Sequence, residues 1–156
     1  MIKMSIPGFK DICIKNIVFD YNGTLAEDGK VSDRTMEILL LLNEHLNIYV
    51  ATADTYGNVA SEFAGTGIEI RKFPSDRASH FKKETVISLG SNETMCVGNG
   101  VNDIEMSKEC ILSIAIIGPE GCSGKLISNC HIVVKSIDDV FDMLNKTDRI
   151  KATLRG

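Results

Sequence analysis

Short apolar runs alternate with segments of helical period along nearly the whole chain, and this alternation restricts the fold more than any other feature. Strands are predicted at 14–19, 47–51, 68–72, 94–97, 111–117 and 131–134. Helices are predicted between them, at 35–46, 56–64, 76–89, 103–109, 124–128 and 137–145. Because the strand runs are almost entirely apolar, they predict a mainly parallel sheet that is covered by helices on both faces. The expected fold class is α/β, with three layers in the order helix, sheet, helix.

The length of 156 residues fits one domain, against an ordinary size of about 150 residues. We expect the core of this domain to span about 14–145, and we interpret 146–156 as a basic tail that is solvated or frayed. The longest apolar runs, Ile38–Leu42 and Ile114–Ile117, are far shorter than the roughly 20 residues of a membrane span. The first ten residues also lack a signal-peptide pattern. No membrane association is therefore expected.

Charge and cysteine content narrow the classes of partner and compartment. The chain has 17 Lys and Arg against 21 Asp and Glu, a formal net charge of −4, so no basic excess favours a nucleic-acid partner. Its five cysteines are an odd number and form no C-x-x-C pair. This argues against a disulfide framework and a zinc knuckle, and predicts reduced thiols in the cytoplasm.

Polar residues follow the predicted strands at the edge where parallel sheets bind their ligands. The first strand is followed by Asp20-Tyr21-Asn22-Gly23-Thr24, and the second by Thr52-Ala53-Asp54. The fourth is preceded by Lys82-Lys83 and followed by Gly98-Asn99-Gly100-Val101-Asn102-Asp103. We expect these groups to converge on one point, except Asp54, which we interpret as an N-cap of the following helix.

The chemistry of this set suits phosphoryl transfer. A strand-end aspartate can attack phosphorus and form an aspartyl-phosphate. Carboxylates and a backbone carbonyl can hold Mg²⁺, which prefers oxygen ligands. A threonine hydroxyl and backbone N–H groups can bind the phosphoryl oxygens, while a lysine offsets the developing charge. Gly23 and Gly100 allow close approach of the backbone to a ligand.

Together these four segments resemble the four motifs of the haloacid dehalogenase (HAD) superfamily, and they are most similar to the phosphorylation domain of P-type ATPases. Thr52-Ala53-Asp54 resembles the Thr-Gly-Asp of that domain, and Gly98 to Asp103 resembles its Gly-Asp-Gly-Val-Asn-Asp. The resemblance covers about 14–145. It implies a Rossmann-like HAD fold, Mg²⁺ as cofactor and a phosphorylated substrate.

The resemblance also implies a role for each matching residue. Asp20 is the expected nucleophile, and Lys82 the expected motif lysine, with Lys83 as the alternative. The catalytic set is Asp20, Asn22, Thr52 and Lys82. The phosphate-binding set is Tyr21, Gly23, Thr52, Ala53, Lys82 and Asn102. The metal-binding set is Asp20, Asn22 through its backbone carbonyl, Asn99, and Asp103 directly or through water.

Two amides stand where phosphatases of this superfamily carry acids. Asn22 replaces the general acid/base, a loss that costs on the order of 10²–10⁴ in rate. Asn99 replaces a charged metal ligand, so we expect weaker metal binding. Both amides precede a glycine, a pairing prone to deamidation, and we hypothesise that ageing regenerates an acid at Asn22.

The spacing between the motifs leaves no room for a cap domain. Thr24 to Thr52 holds only a short hairpin at Asp28-Gly29 and one helix, and Thr52 to Lys82 only a helix and a strand. Water must then be excluded by a large substrate, a second subunit or a partner protein. Two functions fit: a slow Mg²⁺-dependent phosphohydrolase or phosphotransferase acting through Asp20, and a catalytically degenerate module that binds phosphate or a partner.

Overall fold

The structure is a computed structural model that describes residues 1–54 and 58–156. Its strands are β1 (Ile2–Ser5), β2 (Asp11–Ile14), β3 (Asn16–Asp20), β4 (Ala26–Glu27), β5 (Lys30–Val31), β6 (Asn47–Thr52), β7 (Glu69–Lys72), β8 (Thr94–Gly98), β9 (Leu112–Ile116) and β10 (Ile132–Val134). Its helices are α1 (Asp33–Asn43), α2 (Asn58–Glu62), α3 (Ala78–Leu89), α4 (Ile104–Glu109), α5 (Gly124–Ile127), α6 (Ile137–Asn145) and α7 (Asp148–Leu154). Short 3-10 turns at Ser75–Arg77 and Val101–Asp103 precede α3 and α4.

Six strands form one parallel sheet in the order β10-β9-β8-β3-β6-β7. The central strand β3 pairs with β6 on one side and β8 on the other, so that Phe19 aligns with Val50 and with Val97. The chain runs outward from β3 to β6 and β7, and later outward from β8 to β9 and β10. The order in which strands are added therefore reverses between β3 and β8. The loops that follow these two strands lead to opposite sides, which leaves a crevice for a ligand between them.

Helices cover both faces of this sheet, as the alternation along β3 requires. Ile17 and Phe19 belong to a core cluster with Leu39 of α1 and Leu144 of α6. Val18, between them, belongs to a second cluster with Val86 of α3 and Met106 of α4. Because successive side chains of a strand point to opposite faces, the two clusters lie on opposite sides of the sheet. The predicted three-layer α/β fold is confirmed.

The first strand differs from its prediction, because Ile14 does not belong to the central strand. It ends β2, which pairs with β1 as an antiparallel hairpin with Ile14 opposite Ile2. Met4, Ile12 and Ile14 are buried in the larger core cluster. The apolar run from Ile14 to Phe19 therefore spans two strands, and the core includes residues on the N-terminal side of the predicted limit at 14.

The expected frayed tail is wrong. Residues 148–154 form α7, and Ile150 is fully buried in the larger core cluster. The basic residues are neutralised locally, since Arg149 pairs with Asp142 at 2.9 Å and Lys151 with Asp148 at 2.9 Å. Ile150, with Leu154 packed against the same cluster, docks this segment on its own chain.

Two other predictions concern the connections around β6. The hairpin predicted at Asp28-Gly29 is present as β4 and β5. The predicted helix at 56–64 is observed as α2 from Asn58, while its predicted start lies outside the described residues. Over the residues that the structure describes, no helix has both the length and the apolar character needed to cross a bilayer.

Candidate active site

Side chains from three neighbouring strand ends line one cleft of about 230 Å³. Asp20 is the last residue of β3, Thr52 is the last of β6, and Asn99 directly follows β8. The cleft is lined by Asp20, Asn22, Thr52, Ala53, Phe73, Ser75, Ala78, Asn99, Gly100 and Asn102. The structure thus brings together residues from all three motif loops that the strand-end rule selected.

Lys82 contacts side chains of two of these loops, the one after β3 and the one after β8. Its ammonium donates to Asp20 Oδ1 at 2.6 Å, to Asp103 Oδ1 at 2.6 Å and to Asn102 Oδ1 at 3.2 Å. The side chain is fully buried, on the face of α3 that also carries Ala78 and Val86. Lys83 is turned about 100° around the helix from it and is partly exposed. The geometry therefore favours Lys82 over Lys83, because Lys82 contacts Asp20 from behind the cleft lining.

The charges of this cluster depend on one another. Burial raises the pKa of Asp20 to about 7, and the carboxylate of Asp103 acts in the same direction, while Lys82 opposes both. Burial alone would lower the pKa of Lys82, but the two carboxylates outweigh it and the pKa is raised. Lys82 is therefore held as a cation, and the two carboxylates share its charge.

Asp103 organises the loop after β8. Its Oδ2 accepts the backbone N–H groups of Asn99 at 3.0 Å and Gly100 at 2.9 Å, while its Oδ1 contacts Lys82. A β-carbon at Gly98 would lie 2.4 Å from the same Oδ2. The carboxylate can approach this backbone because residue 98 is a glycine, and both of its oxygens already have partners.

Thr24 connects the first motif loop to Asn99. Its hydroxyl lies 3.4 Å from Asp20 Oδ2 and 3.4 Å from Asn99 Oδ1, so it can donate to either oxygen. The amide group of Asn99 donates to the carbonyl of Gly121 at 3.2 Å, which turns its Oδ1 toward Thr24. Gly23 has a φ of +75°, and a β-carbon there would lie 2.2 Å from Asn99 Nδ2. Only glycine fits this close approach of the two loops.

Tyr21, Asn22 and Asn102 occupy different positions relative to the cleft. Tyr21 is buried and does not line the cleft: its ring packs against Phe63, its hydroxyl donates to Glu62, and its carbonyl accepts backbone N–H groups of the following turn. Asn22 is exposed at the mouth of the cleft, whereas Asn102 lines it and accepts from Lys82. The structure therefore does not bring Tyr21 into the cleft with the other residues expected to bind phosphate.

The wall opposite Asn99 consists of residues that the sequence interpretation missed, namely Phe73, Ser75 and Ala78. The backbone N–H of Phe73 donates to the carbonyl of Thr52 at 3.2 Å, and its ring centroid lies 5.6 Å from Lys82 Nζ. These residues follow β7, the third predicted strand. The rule that ligands bind beyond the carboxyl ends of parallel strands would have identified these residues if it had also been applied to β7, the edge strand.

The geometry opposes deamidation at both Asn-Gly pairs. That reaction requires the nitrogen of the following glycine to attack the side-chain carbonyl. The N–H of Gly23 donates to the carbonyl of Ala26 at 2.9 Å, and that of Gly100 donates to Asp103 Oδ2 at 2.9 Å. Both nitrogens are held in hydrogen bonds, so the hypothesis of an acid regenerated at Asn22 loses its structural basis.

The donor atoms of the cleft suit a hard cation such as Mg²⁺. Asp20 Oδ2 and Asn99 Oδ1 lie on either side of the Thr24 hydroxyl, and Asn22 adds a cleft-lining residue with a backbone carbonyl. Among the described residues, no group of three or more His, Cys, Asp and Glu side chains is placed to hold a metal ion. Oxygen donors with little negative charge fit Mg²⁺, with low affinity.

The cleft is open to solvent. Between Thr24 and Thr52 the structure has only the β4–β5 hairpin and α1 before β6. Between Thr52 and Lys82, the described residues form α2, β7 and a 3-10 turn before α3 begins. No cap domain lies over the cleft in residues 1–54 and 58–156.

Sequence comparison links the chain to an archaeal protein. It is 34% identical over 90 residues to the uncharacterized protein MJ0073 of Methanocaldococcus jannaschii, an alignment that covers 56% of this chain and 97% of that protein. The chain belongs to one family with MJ0073. No protein-family model matches the chain.

Structural comparison identifies the fold. A protein of Streptomyces avermitilis assigned to the HAD-family hydrolases superposes with a TM-score of 0.65 at 19% identity, covering 85% of this chain and 83% of that one. The cobalt-bound deoxy-D-mannose-octulosonate 8-phosphate phosphatase of Haemophilus influenzae gives 0.71 at 14% identity, covering 92% and 94%. The corresponding phosphatase of Moraxella catarrhalis, in complex with magnesium, phosphate and a KDO molecule, gives 0.64 at 17% identity, covering 91% and 94%. The fold is that of the HAD hydrolases.

Proposed function

We propose that this chain is a Mg²⁺-dependent phosphohydrolase or phosphotransferase that forms an aspartyl-phosphate on Asp20. The observation that carries the proposal is the convergence of Asp20 and Thr52 in one cleft, with the buried Lys82 of α3 donating to Asp20. A buried lysine between two buried carboxylates is costly for folding, and such costs are typical of functional sites. The phosphatases with the same fold make this reaction class the natural candidate.

In the proposed reaction, an oxygen of the Asp20 carboxylate attacks the phosphorus of a phosphomonoester. The bond from phosphorus to the leaving oxygen breaks, and this oxygen takes a proton from water, because the amide of Asn22 cannot supply one. The Thr52 hydroxyl and the N–H of Ala53 bind the phosphoryl oxygens, and Lys82 stabilises their charge. Water then hydrolyses the acyl phosphate, releasing inorganic phosphate and restoring Asp20.

A bound Mg²⁺ would be held by Asp20, the backbone carbonyl of Asn22 and Asn99, with Asp103 contributing through water because both of its oxygens already have partners. It would neutralise the negative charge that the phosphoryl group brings into the cleft. The similarity to the phosphorylation domain of P-type ATPases, which rests on the motifs alone, fits slow hydrolysis of the phospho-aspartate. We propose low turnover for the same reason.

We further propose that the substrate is large or a protein, or that a second subunit completes the site. The cleft holds about 230 Å³ and is open, so a small phosphate ester would remain hydrated there. Neither nucleic acid nor a membrane is a proposed partner. The odd number of cysteines keeps the cytoplasm as the proposed location.

A second candidate function is a module that binds a phosphorylated ligand without turnover. It is favoured by the two neutral side chains, Asn22 and Asn99, and by the full hydrogen bonding of Asp103. Both functions require the same phosphate contacts. They differ in whether Asp20 reacts.

The test is release of phosphate from p-nitrophenyl phosphate and from a phosphopeptide, with Mg²⁺, by the native chain and by Asp20→Asn. Asp11→Asn is the matched control, since Asp11 is an exposed aspartate of β2. We expect release by the native chain and the control, and none by Asp20→Asn. Equal release by all three would contradict a role for Asp20, and phosphate binding without release would favour the binding module.

A further inference from the structure

Asp54 has a backbone conformation that few residues other than glycine adopt. Its φ is +32°, and the other described non-glycine residue with a positive φ is Asp28, in the tight turn between β4 and β5. A two-residue hairpin turn requires such a conformation. Asp54 follows Thr52 by two residues and lies in no hairpin, so its conformation must be held by contacts around it.

The side chain of Asp54 provides those contacts. It is 2% exposed, and its Oδ2 lies 2.7 Å from Lys72 Nζ, at the end of β7. Its Oδ1 accepts the backbone N–H of Val59 in α2 at 3.2 Å. Thr52 and Lys72 are register partners in the sheet, so the ion pair crosses between the ends of β6 and β7.

The backbone of Asp54 acts directly on Thr52. The N–H of Asp54 donates to Thr52 Oγ1 at 3.1 Å. A hydroxyl has a single hydrogen, and an oxygen that accepts on one side directs this hydrogen elsewhere. Because Thr52 lines the cleft, its hydrogen is left for a ligand bound there.

We propose that Asp54, held by its ion pair with Lys72, is a positioning residue that orients the Thr52 hydroxyl as a donor to the phosphoryl group. This inference rests on the proposed function and adds two residues to the site, neither of which lines the cleft. Loss of the ion pair lets residue 54 relax toward an ordinary φ. The N–H then leaves Thr52 Oγ1, and the hydroxyl is free to rotate away from the ligand.

The variants separate this role from a general effect on the fold. Asparagine tolerates a positive φ, and in Asp54→Asn the side-chain oxygen can still accept the N–H of Val59. The NH₂ group of the amide, however, replaces the carboxylate oxygen that pairs with Lys72, so the ion pair is lost. Lys72→Met removes the same ion pair from its other end, and Lys72→Arg keeps it. Arg71→Met is the matched control, because it breaks an ion pair with Glu69 on the same strand without touching Asp54.

The measurement is the affinity for inorganic phosphate by titration calorimetry, with Mg²⁺ present throughout. We expect Thr52→Val to weaken binding about tenfold, the effect of one hydrogen bond to a charged group. Asp54→Asn and Lys72→Met should weaken it about three- to tenfold, whereas Lys72→Arg and Arg71→Met should stay within about twofold of the native chain. In the Thr52→Val background, Asp54→Asn should have no further effect, since the two residues act through one hydroxyl.

Two results would overturn the inference alone. One is unchanged affinity in Lys72→Met while Thr52→Val weakens binding, and the other is an equal effect of Asp54→Asn with and without the Thr52 hydroxyl. A native chain that binds no phosphate would overturn the proposed function and this inference together. The two failures are therefore distinguishable in one set of titrations.

Discussion

The two sides of the cleft differ in charge and in how firmly their side chains are held. On one side, Asp20, Lys82 and Asp103 form a buried lysine cluster joined by contacts of 2.6 Å. On the other, Asn22 and Asn99 form an amide side that carries no charge. Asn22 is exposed, whereas Asn99 is held between Thr24 and Gly121. Charge is present at the proposed nucleophile Asp20 and its lysine, and it is absent at Asn22, where a proton would be transferred, and at Asn99, one of the proposed metal ligands.

This difference separates binding from turnover. Removing any member of the lysine cluster would leave a buried charge without its partner, so the three residues depend on one another. Asn22 imposes no such constraint, because it is exposed, whereas Asn99 is fixed by its neutral hydrogen bonds to Thr24 and Gly121. The cluster is consistent with retained phosphate chemistry, and the amides with a low rate of that chemistry.

The largest effect is expected from Lys82→Met. It should lower the free energy of unfolding by about 3–5 kcal/mol, because two buried carboxylates lose their cation, and it should abolish phosphate release. Urea denaturation and the phosphate assay check both. Lys83→Met is the matched control, with a change within about 0.5 kcal/mol. Equal stabilities of the two variants would remove the lysine cluster from the account.

Asn22→Asp should make the amide side catalytic. Phosphate release is expected to rise on the order of 10²-fold, because a carboxyl group at the mouth of the cleft can shuttle a proton. Stability should stay within about 0.5 kcal/mol, since the residue is exposed. Asn145→Asp, which adds the same charge at the end of α6, is the control and should leave the rate unchanged. A rate that does not rise would show that proton transfer does not limit turnover.

Asn99→Asp should change stability, whereas Asn22→Asp should leave it unchanged. A carboxylate oxygen would replace the amide donor that faces the carbonyl of Gly121 and would add charge beside Asp20. Without Mg²⁺ we expect a loss of about 1–2 kcal/mol in stability, and with Mg²⁺ a larger thermal stabilisation than the native chain shows. Thermal unfolding with and without the metal measures both quantities. If Asn99→Asp is as stable as the native chain without Mg²⁺, the hydrogen bond from the Asn99 amide to the Gly121 carbonyl does not contribute to stability.

The smallest effect is expected at Thr24, which connects the two sides. Thr24→Val should cost about 1 kcal/mol of stability, the typical value of one hydrogen bond, and should lower the rate only a few-fold. Thr24→Ser keeps the hydroxyl and should retain native values in the same denaturation and phosphate assays. A loss in Thr24→Ser as large as in Thr24→Val would assign the effect to the methyl group instead.

Much of the fold and the site follows from local patterns. Apolar runs predicted the strands, and the edge rule for parallel sheets selected Asp20, Thr52 and Asn99. The helical phase of α3 favoured Lys82 over Lys83, because Lys82 shares a face with Val86. Each of these predictions depends on a few neighbouring residues: the spacing of apolar residues along a helix, or the position at which a strand ends.

The remainder depends on contacts between distant segments. The N–H groups that Asp103 accepts are local, but its contact with Lys82 joins α3 to the loop after β8 and is not visible in the local pattern. Asp54 was interpreted as an N-cap, and it does accept a helix N–H from Val59, but its ion pair with Lys72 required the register of β6 and β7. The docking of Ile150 likewise depends on where α6 ends. The sequence pattern thus predicts which side chains lie near the same strand ends. Tertiary packing determines which of their polar atoms are already hydrogen-bonded and which can bind a ligand.

If Asp20 is the nucleophile, its phosphorylated state can be trapped and identified. The native chain is incubated with acetyl phosphate and Mg²⁺, quenched in acid and digested, and the peptide containing Asp20 is analysed by mass spectrometry. We expect a phosphoryl group on Asp20 that hydroxylamine removes and that Asp20→Asn lacks. Phosphate release by the native chain with an unmodified Asp20 peptide, or with the adduct on another residue, would contradict this role of Asp20.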